Sequence, residues 1–251
     1  MNKSKLFRVF PNDPHPPYVD KADGLYIYTK AGNKILDMTA GGTSYAVVGW
    51  NHPEVNAAIE AQTKRFGHMD YKIWSDENTE ELAELLLSRA EHGLDRVYFA
   101  GNSGSEACEA AMKMSYQIRY DQGQPEKKWF ISREQSYHGS TSDALVLGER
   151  PNLEFYRTML SPYRSRIPMH HPLYLKRDDE SLDDYAQRSA KELEDEILRI
   201  GPANVCGFVG ETIMGGLVGD VPPAPNYWKH IRKVCDRYDV YLILDEVYCG
   251  T

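Results

Sequence analysis

The sequence predicts an α/β protein: a mainly parallel sheet with helices on both faces. Three observations lead there. Two apolar runs, Val205-Cys-Gly-Phe-Val209 and Val240-Tyr-Leu-Ile-Leu244, show no polar alternation, as befits strands buried on both faces. Helical segments separate the strand-like runs, which is the alternation of a parallel sheet. Both runs lead into carboxylates, Glu211 and Asp245, and such sheets bind ligands outside the carboxyl ends of their strands.

The elements follow in order. Residues 18–38 read as short antiparallel strands, with turn signals at Ala22-Asp23-Gly24 and Lys30-Ala-Gly32-Asn33. Residues 39–52 are small, polar and Gly-rich and read as a loop. From Pro53 the spacing of Val55, Ala58, Ile59, Gln62 and Phe66 is helical, with proline suited to a first turn. Residues 76–91 give a second amphipathic helix around Leu82, Leu85, Leu86 and Arg89. Arg96–Ala100 reads as a strand, Ser103–Tyr120 as a helix with Ala107, Ala110, Ala111 and Met114 inward, and Lys128–Ile131 as a strand. A polar loop at 133–141 precedes an apolar patch at 144–147. Residues 150–180 have no clear period. Residues 181–199 form an acidic helix with Tyr185, Leu193 and Ile197 on its inner side, and Tyr227–Tyr238 is the last helix. The composition shift near residue 50 divides a β-rich N-terminal piece from the α/β body.

Composition narrows the function. A net charge of −8, with no basic stripe, argues against a nucleic-acid partner. No apolar segment reaches membrane-spanning length, and the N-terminus lacks a signal-peptide core, so a cytoplasmic location is expected. Cys108, Cys206, Cys235 and Cys249 form no CxxC pair and are expected to be reduced thiols. The His170-His171 pair lacks further ligands at metal spacing, so no metal site is expected.

Four places carry chemistry. Ala100-Gly-Asn-Ser103-Gly104-Ser105-Glu106 joins a strand to a helix and suits a phosphate; Ser103-x-x-Glu106 is equally a capping box. It is neither a Walker A nor a GxGxxG motif, which disfavours a nucleotide-binding protein. Tyr137-His138-Gly139 puts a ring where a planar ligand could lie against it. Glu211 precedes a turn containing Gly215, Gly216, Gly219 and Asp220, and Asp245 ends the last strand. A phosphate anchor, an aromatic platform and a carboxylate facing a ring nitrogen are what pyridoxal 5'-phosphate needs.

In these motifs the chain resembles the class III (omega-type) aminotransferases of the pyridoxal-phosphate fold type I superfamily. Ser103-Gly-Ser-Glu-Ala107, Tyr137-His-Gly139, Glu211 with its glycine turn and Leu244-Asp-Glu-Val247 stand in the family's order, with Gly49-Trp-Asn-His52-Pro53 before them. The resemblance implies the large domain of that fold over 51–251, incomplete at its C-terminus, and the N-terminal part of a small α+β domain over 1–50. It implies cofactor contacts at Gly104, Ser105, Tyr137, His138, Asp245 and Val247, with Asp245 on the pyridine nitrogen and Val247 on the opposite ring face from Tyr137. Its catalytic positions are Asp245 and Glu211, and segment 41–50 shapes the substrate pocket. A homodimer is implied, with an amine or amino acid and a 2-oxo acid as substrates.

Two departures from the family pattern carry expectations. Some branches place a second Glu five residues after the first; here that position is Gly216, which favours a pyruvate-like acceptor. The family's Schiff-base lysine follows the Asp-Glu-Val motif, whereas the last lysine here is Lys233. An N-terminal fragment without transaminase activity is therefore expected. An aminomutase or decarboxylase would share every motif, and a non-catalytic dimerisation or ligand-binding module is the alternative of another class.

Overall fold

A computed structural model describes residues 16–41, 46–88, 93–149 and 154–249. The chain divides into two compact units, Met1–Glu80 and Glu81–Thr251.

In the first unit, β1 (Val19–Asp23), β2 (Tyr26–Thr29) and β3 (Lys34–Leu36) form an antiparallel sheet in that order. Gly24 and Gly32 take the turns at φ 54° and 85°, where a side chain would be strained. In the loop that follows, the Asp37 carboxylate accepts from the Thr39 amide, the Gly41 amide and Trp50 Nε1, at 2.9, 2.8 and 2.8 Å. The Thr39 and Trp50 bonds hold its pKa down to about 2. Helix α1 (Pro53–Arg65) starts on Pro53, with Glu54 in its first turn and Lys64 and Arg65 in its last, each matched to the helix dipole. Its expected apolar stripe is not covered: Val55 and Ile59 are exposed. The chain passes from the first unit to the second within helix α2 (Glu77–Ser88), and the expected Arg89 lies outside the described residues.

The second unit holds a four-stranded sheet in the order β5-β4-β6-β7, parallel throughout. Its strands are β4 (Trp129–Arg133), β5 (Arg164–Ile167), β6 (Val205–Glu211) and β7 (Tyr241–Asp245). Every residue of β6 is buried, as its unbroken apolar run requires. Helices α3 (Gly104–Asp121) and α4 (Ser142–Leu147) cover one face, where Met112, Leu147, Phe130, Cys206 and Val209 pack together. On the other face lie α6 (Leu182–Ile200) and α7 (Tyr227–Arg237), whose Tyr185, Leu193, Ile197 and Ile231 meet Ile131 and Phe208. Each such aliphatic side chain contributes about 1.5–3 kcal/mol by leaving water. The fold class is the expected one.

Three expectations are corrected. Arg96–Ala100 is not a strand: among the described residues no strand pairs with it, and Tyr98 is exposed. The buried stripe of α3 is Cys108, Met112 and Arg119, at intervals of four and seven, while Met114 is exposed. Alanines on both sides of this helix hide the true stripe. Within 150–180 the structure places β5, a 3-10 turn at Glu154–Met159 and the short α5 (Pro172–Leu175). β5 escapes notice because it reads Arg-Ser-Arg-Ile; its arginines are spent on Asp143 (3.0 Å) and on the Val146 and Gly148 carbonyls.

His170 is a core residue. It stacks between Tyr185 and Tyr227, with ring centroids 4.7 and 3.8 Å away. Its Nε2 accepts from the Ala224 amide and its Nδ1 lies 3.0 Å from Ser189 Oγ. Burial, with help from nearby Arg133, drives its pKa down to about 3.

Candidate active site

The site forms at the carboxyl ends of β6 and β7, where Glu211 and Asp245 sit in register on adjacent strands. Three donors meet the Asp245 carboxylate. His138 Nδ1 lies 2.9 Å from Oδ2, and a carboxylate only accepts, so this nitrogen carries the proton. Cys108 Sγ lies 3.7 Å from the same oxygen. The Val247 amide donates to Oδ1 at 3.3 Å. Burial works against the charge of Asp245, but the His138 bond and its charge, the Val247 amide and the thiol outweigh it, and its pKa falls below the usual carboxylate range. The His138 side chain is fully buried, and its Nε2 has no partner among the described residues.

Glu211 behaves in the opposite way. Burial pushes its pKa up, against the charges of His138 and Arg133. Its Oε1 accepts from the Gly215 amide at 3.2 Å, and its Oε2 is buried with no partner among the described residues. The buried guanidinium of Arg133 donates to the Glu211 carbonyl. Two neighbouring carboxylates are thereby set apart, one held charged and the other pressed towards neutrality.

Helix α3 supplies the second wall. Ser103 caps it, with its Oγ accepting from the Glu106 amide at 3.3 Å. The reciprocal half of the expected box reaches one residue further back: Glu106 Oε2 accepts from the Asn102 amide at 3.1 Å. Gly104 faces Val247, and a Cβ there would stand 3.0 Å from Val247 Cγ2. Ser105 Oγ accepts from the Ser140 amide at 3.0 Å, which leaves its own hydroxyl proton free to point elsewhere. The loop carrying Tyr137 and His138 is thus tied to the first turn of α3. Tyr137 is half-buried in that loop, and Val247 is exposed beyond β7.

The structure therefore brings Gly104, Ser105, His138, Glu211, Asp245 and Val247 to one end of the sheet, with Tyr137 next to His138. Of segment 41–50, residues 42–45 lie outside the described residues. Cys108 was the missed neighbour. It stands three residues after Ser105, one helical turn further in, but nothing local in the sequence points it at Asp245. The ligand-type atoms of Cys108, His138 and Asp245 all lie within 4.8 Å of one another. The hydrogen bonds to Asp245 already account for this closeness.

Comparison with known proteins decides the family. The model of the class III aminotransferases matches residues 10–251. The chain belongs to the class III aminotransferases. An uncharacterized aminotransferase of Schizosaccharomyces pombe is 40% identical over 249 residues, covering 99% of this chain and 54% of that protein. A putrescine–pyruvate aminotransferase of Pseudomonas aeruginosa is 33% identical, covering 99% and 57%. The omega transaminase of Pseudomonas jessenii, solved in complex with PMP, superposes with a TM-score of 0.87 at 31% identity, covering 97% of this chain and 55% of that one. This aminotransferase chain spans about half the length of the relatives it matches, and its second unit carries the fold type I large-domain sheet. Pyridoxal 5'-phosphate is the family's cofactor.

The residues present fit that cofactor. A helix N-terminus with a glycine and a hydroxyl suits its phosphate. A buried carboxylate held charged, with only an amide on Oδ1 among the described residues, suits a protonated ring nitrogen. The buried Nε2 of His138 and Oε2 of Glu211 are polar atoms left for a further partner.

Proposed function

We propose that this chain forms the cofactor-binding part of an enzyme that moves an amino group from an amine or amino acid to a pyruvate-like 2-oxo acid, using pyridoxal 5'-phosphate. The observation that carries the reading is Asp245: a buried carboxylate at a strand end, held anionic chiefly by His138 at 2.9 Å. When bound, the cofactor supplies an electron sink for the bonds at the amino-bearing carbon. Asp245, held charged, would face the ring nitrogen and keep it protonated. His138 keeps Asp245 charged and fixed. The Gly104 and Ser105 amides with the Ser105 hydroxyl bind phosphate, Tyr137 and Val247 enclose the ring, and Glu211 supports the site beside Asp245.

Gly216 favours the pyruvate-like acceptor. With no side chain at 216, no second carboxylate stands five residues after Glu211. Residues 1–50 are assigned to a small domain and 51–251 to the large one. A homodimer in the cytoplasm completes the reading; exposed Met114 and Ile118, one turn apart on α3, support the first part and four free thiols the second. By itself the 251-residue polypeptide does not turn over, because its lysines all precede the Asp245-Glu-Val247 motif.

The test titrates the chain with pyridoxal 5'-phosphate, then supplies putrescine or 4-aminobutyrate with pyruvate and measures alanine. Saturable cofactor binding without alanine is expected. Absence of cofactor binding overturns the binding role, and steady alanine production overturns the inactivity. On a longer enzyme containing this chain, release of carbon dioxide or of an isomerised amine would replace transamination with decarboxylation or mutation.

A further inference from the structure

We propose that Cys108 is a positioning residue for the cofactor: its thiol, together with His138, claims one oxygen of Asp245 and so reserves the other for the ring nitrogen. The inference rests on the cofactor reading above.

The two carboxylate oxygens are not equivalent. Oδ2 receives His138 Nδ1 at 2.9 Å and Cys108 Sγ at 3.7 Å. Among the described residues Oδ1 receives only the Val247 amide, at 3.3 Å. A carboxylate oxygen has room for about two donors, so Oδ2 is filled and Oδ1 is not. His138 and Cys108 approach from different elements, the 133–141 loop and helix α3. The Val247 amide comes from the turn that follows Asp245 itself, so His138 and Cys108 are the two donors that hold the carboxylate from elsewhere in the fold.

Helix α3 is suited to the task. Cys108 lies one turn after Ser105 on the same helical side, so one rigid element serves both ends of the ligand. Its N-terminal amides face the phosphate, and its second turn sets the carboxylate. Burial, followed by the charge of Asp245, pushes the Cys108 pKa up to about 12, so the group is a thiol with a proton to donate and not a reactive thiolate. Alanine at 108 would keep the helix and remove the donor; serine would keep a donor.

The experiment compares two ligands on the full 251-residue chain: pyridoxal 5'-phosphate and its 1-deaza analogue, in which CH replaces the ring nitrogen. Their affinity ratio isolates the contact at that nitrogen. A bond to a charged group predicts that the wild-type chain prefers pyridoxal phosphate by about tenfold to a hundredfold. Cys108→Ala is expected to shrink this ratio by about threefold to tenfold, with the deaza analogue bound as before, and Cys108→Ser to restore most of it. If Cys108→Ala weakens both ligands equally, or neither, the positioning role is overturned. If the wild-type chain binds neither ligand, the cofactor reading itself fails.

Discussion

Gly139 stands so close to Ser105 that a Cβ on it would lie 2.5 Å from the serine Oγ and 2.8 Å from its Cα. Its φ of 134° is also one that side chains rarely adopt. The loop bearing Tyr137 and His138 reaches helix α3 only because this position has no side chain.

Gly139→Ala is therefore expected to push the loop off α3 and break the Ser140 amide bond to Ser105. Overpacking of this kind costs about 1–3 kcal/mol. Urea denaturation should show that loss, and pyridoxal 5'-phosphate affinity should fall with it. Unchanged stability and affinity would show that the loop does not need this contact.

Arg119 ties the end of α3 to the turn before β7. Its buried guanidinium donates to both Asp239 carboxylate oxygens, at 2.8 and 3.0 Å, and to the Asp239 carbonyl at 2.6 Å. It also lies over the Tyr241 ring, 4.0 Å from the centroid. Because Asp239 is largely exposed, solvent screens part of the pair. Arg119→Met is expected to cost about 1–3 kcal/mol, since buried Lys127 still satisfies the Asp239 carbonyl. Chemical denaturation checks the value, and a change below about 0.5 kcal/mol would contradict it.

His170 makes the fold acid-sensitive. Its ordinary pKa of 6.5 falls to about 3 in the folded chain, chiefly through burial. The unfolded chain therefore binds a proton that the folded chain refuses between these values. Stability from this group is complete above pH 6.5 and is lost as the pH falls towards 3. The expected slope is about 1.4 kcal/mol per pH unit for one proton. His170→Gln keeps an acceptor for the Ala224 amide and does not titrate. Its stability is expected to be lower at neutral pH and flatter in acid by that slope, as read from urea midpoints across the range.

Much of this architecture was legible in the sequence because burial writes itself into composition. The runs before Glu211 and Asp245 are both strands, as read, but only the first is buried throughout; β7 is half-buried, with Leu244 exposed. Helix α6 was equally plain, since Tyr185, Leu193 and Ile197 keep its period; the structure adds a capping box of Ser181 and Asp184. β5 was hidden because half-buried arginines fill it, their charged ends finding partners in α4 and at its C-terminal end. Cys108 was hidden for another reason. Its partner Asp245 lies 137 residues away, and no local pattern marks a thiol that meets a distant carboxylate.

The measurement that bears most directly on the central claim is the affinity of the 251-residue chain for pyridoxal 5'-phosphate before and after Asp245→Asn. The amide keeps the shape of the side chain and removes its charge. Loss of a charge-assisted bond predicts weakening by about tenfold to a hundredfold, with thermal stability much less affected. Equal affinity in the two chains would contradict the claim that the carboxylate held by His138 receives the cofactor's ring nitrogen.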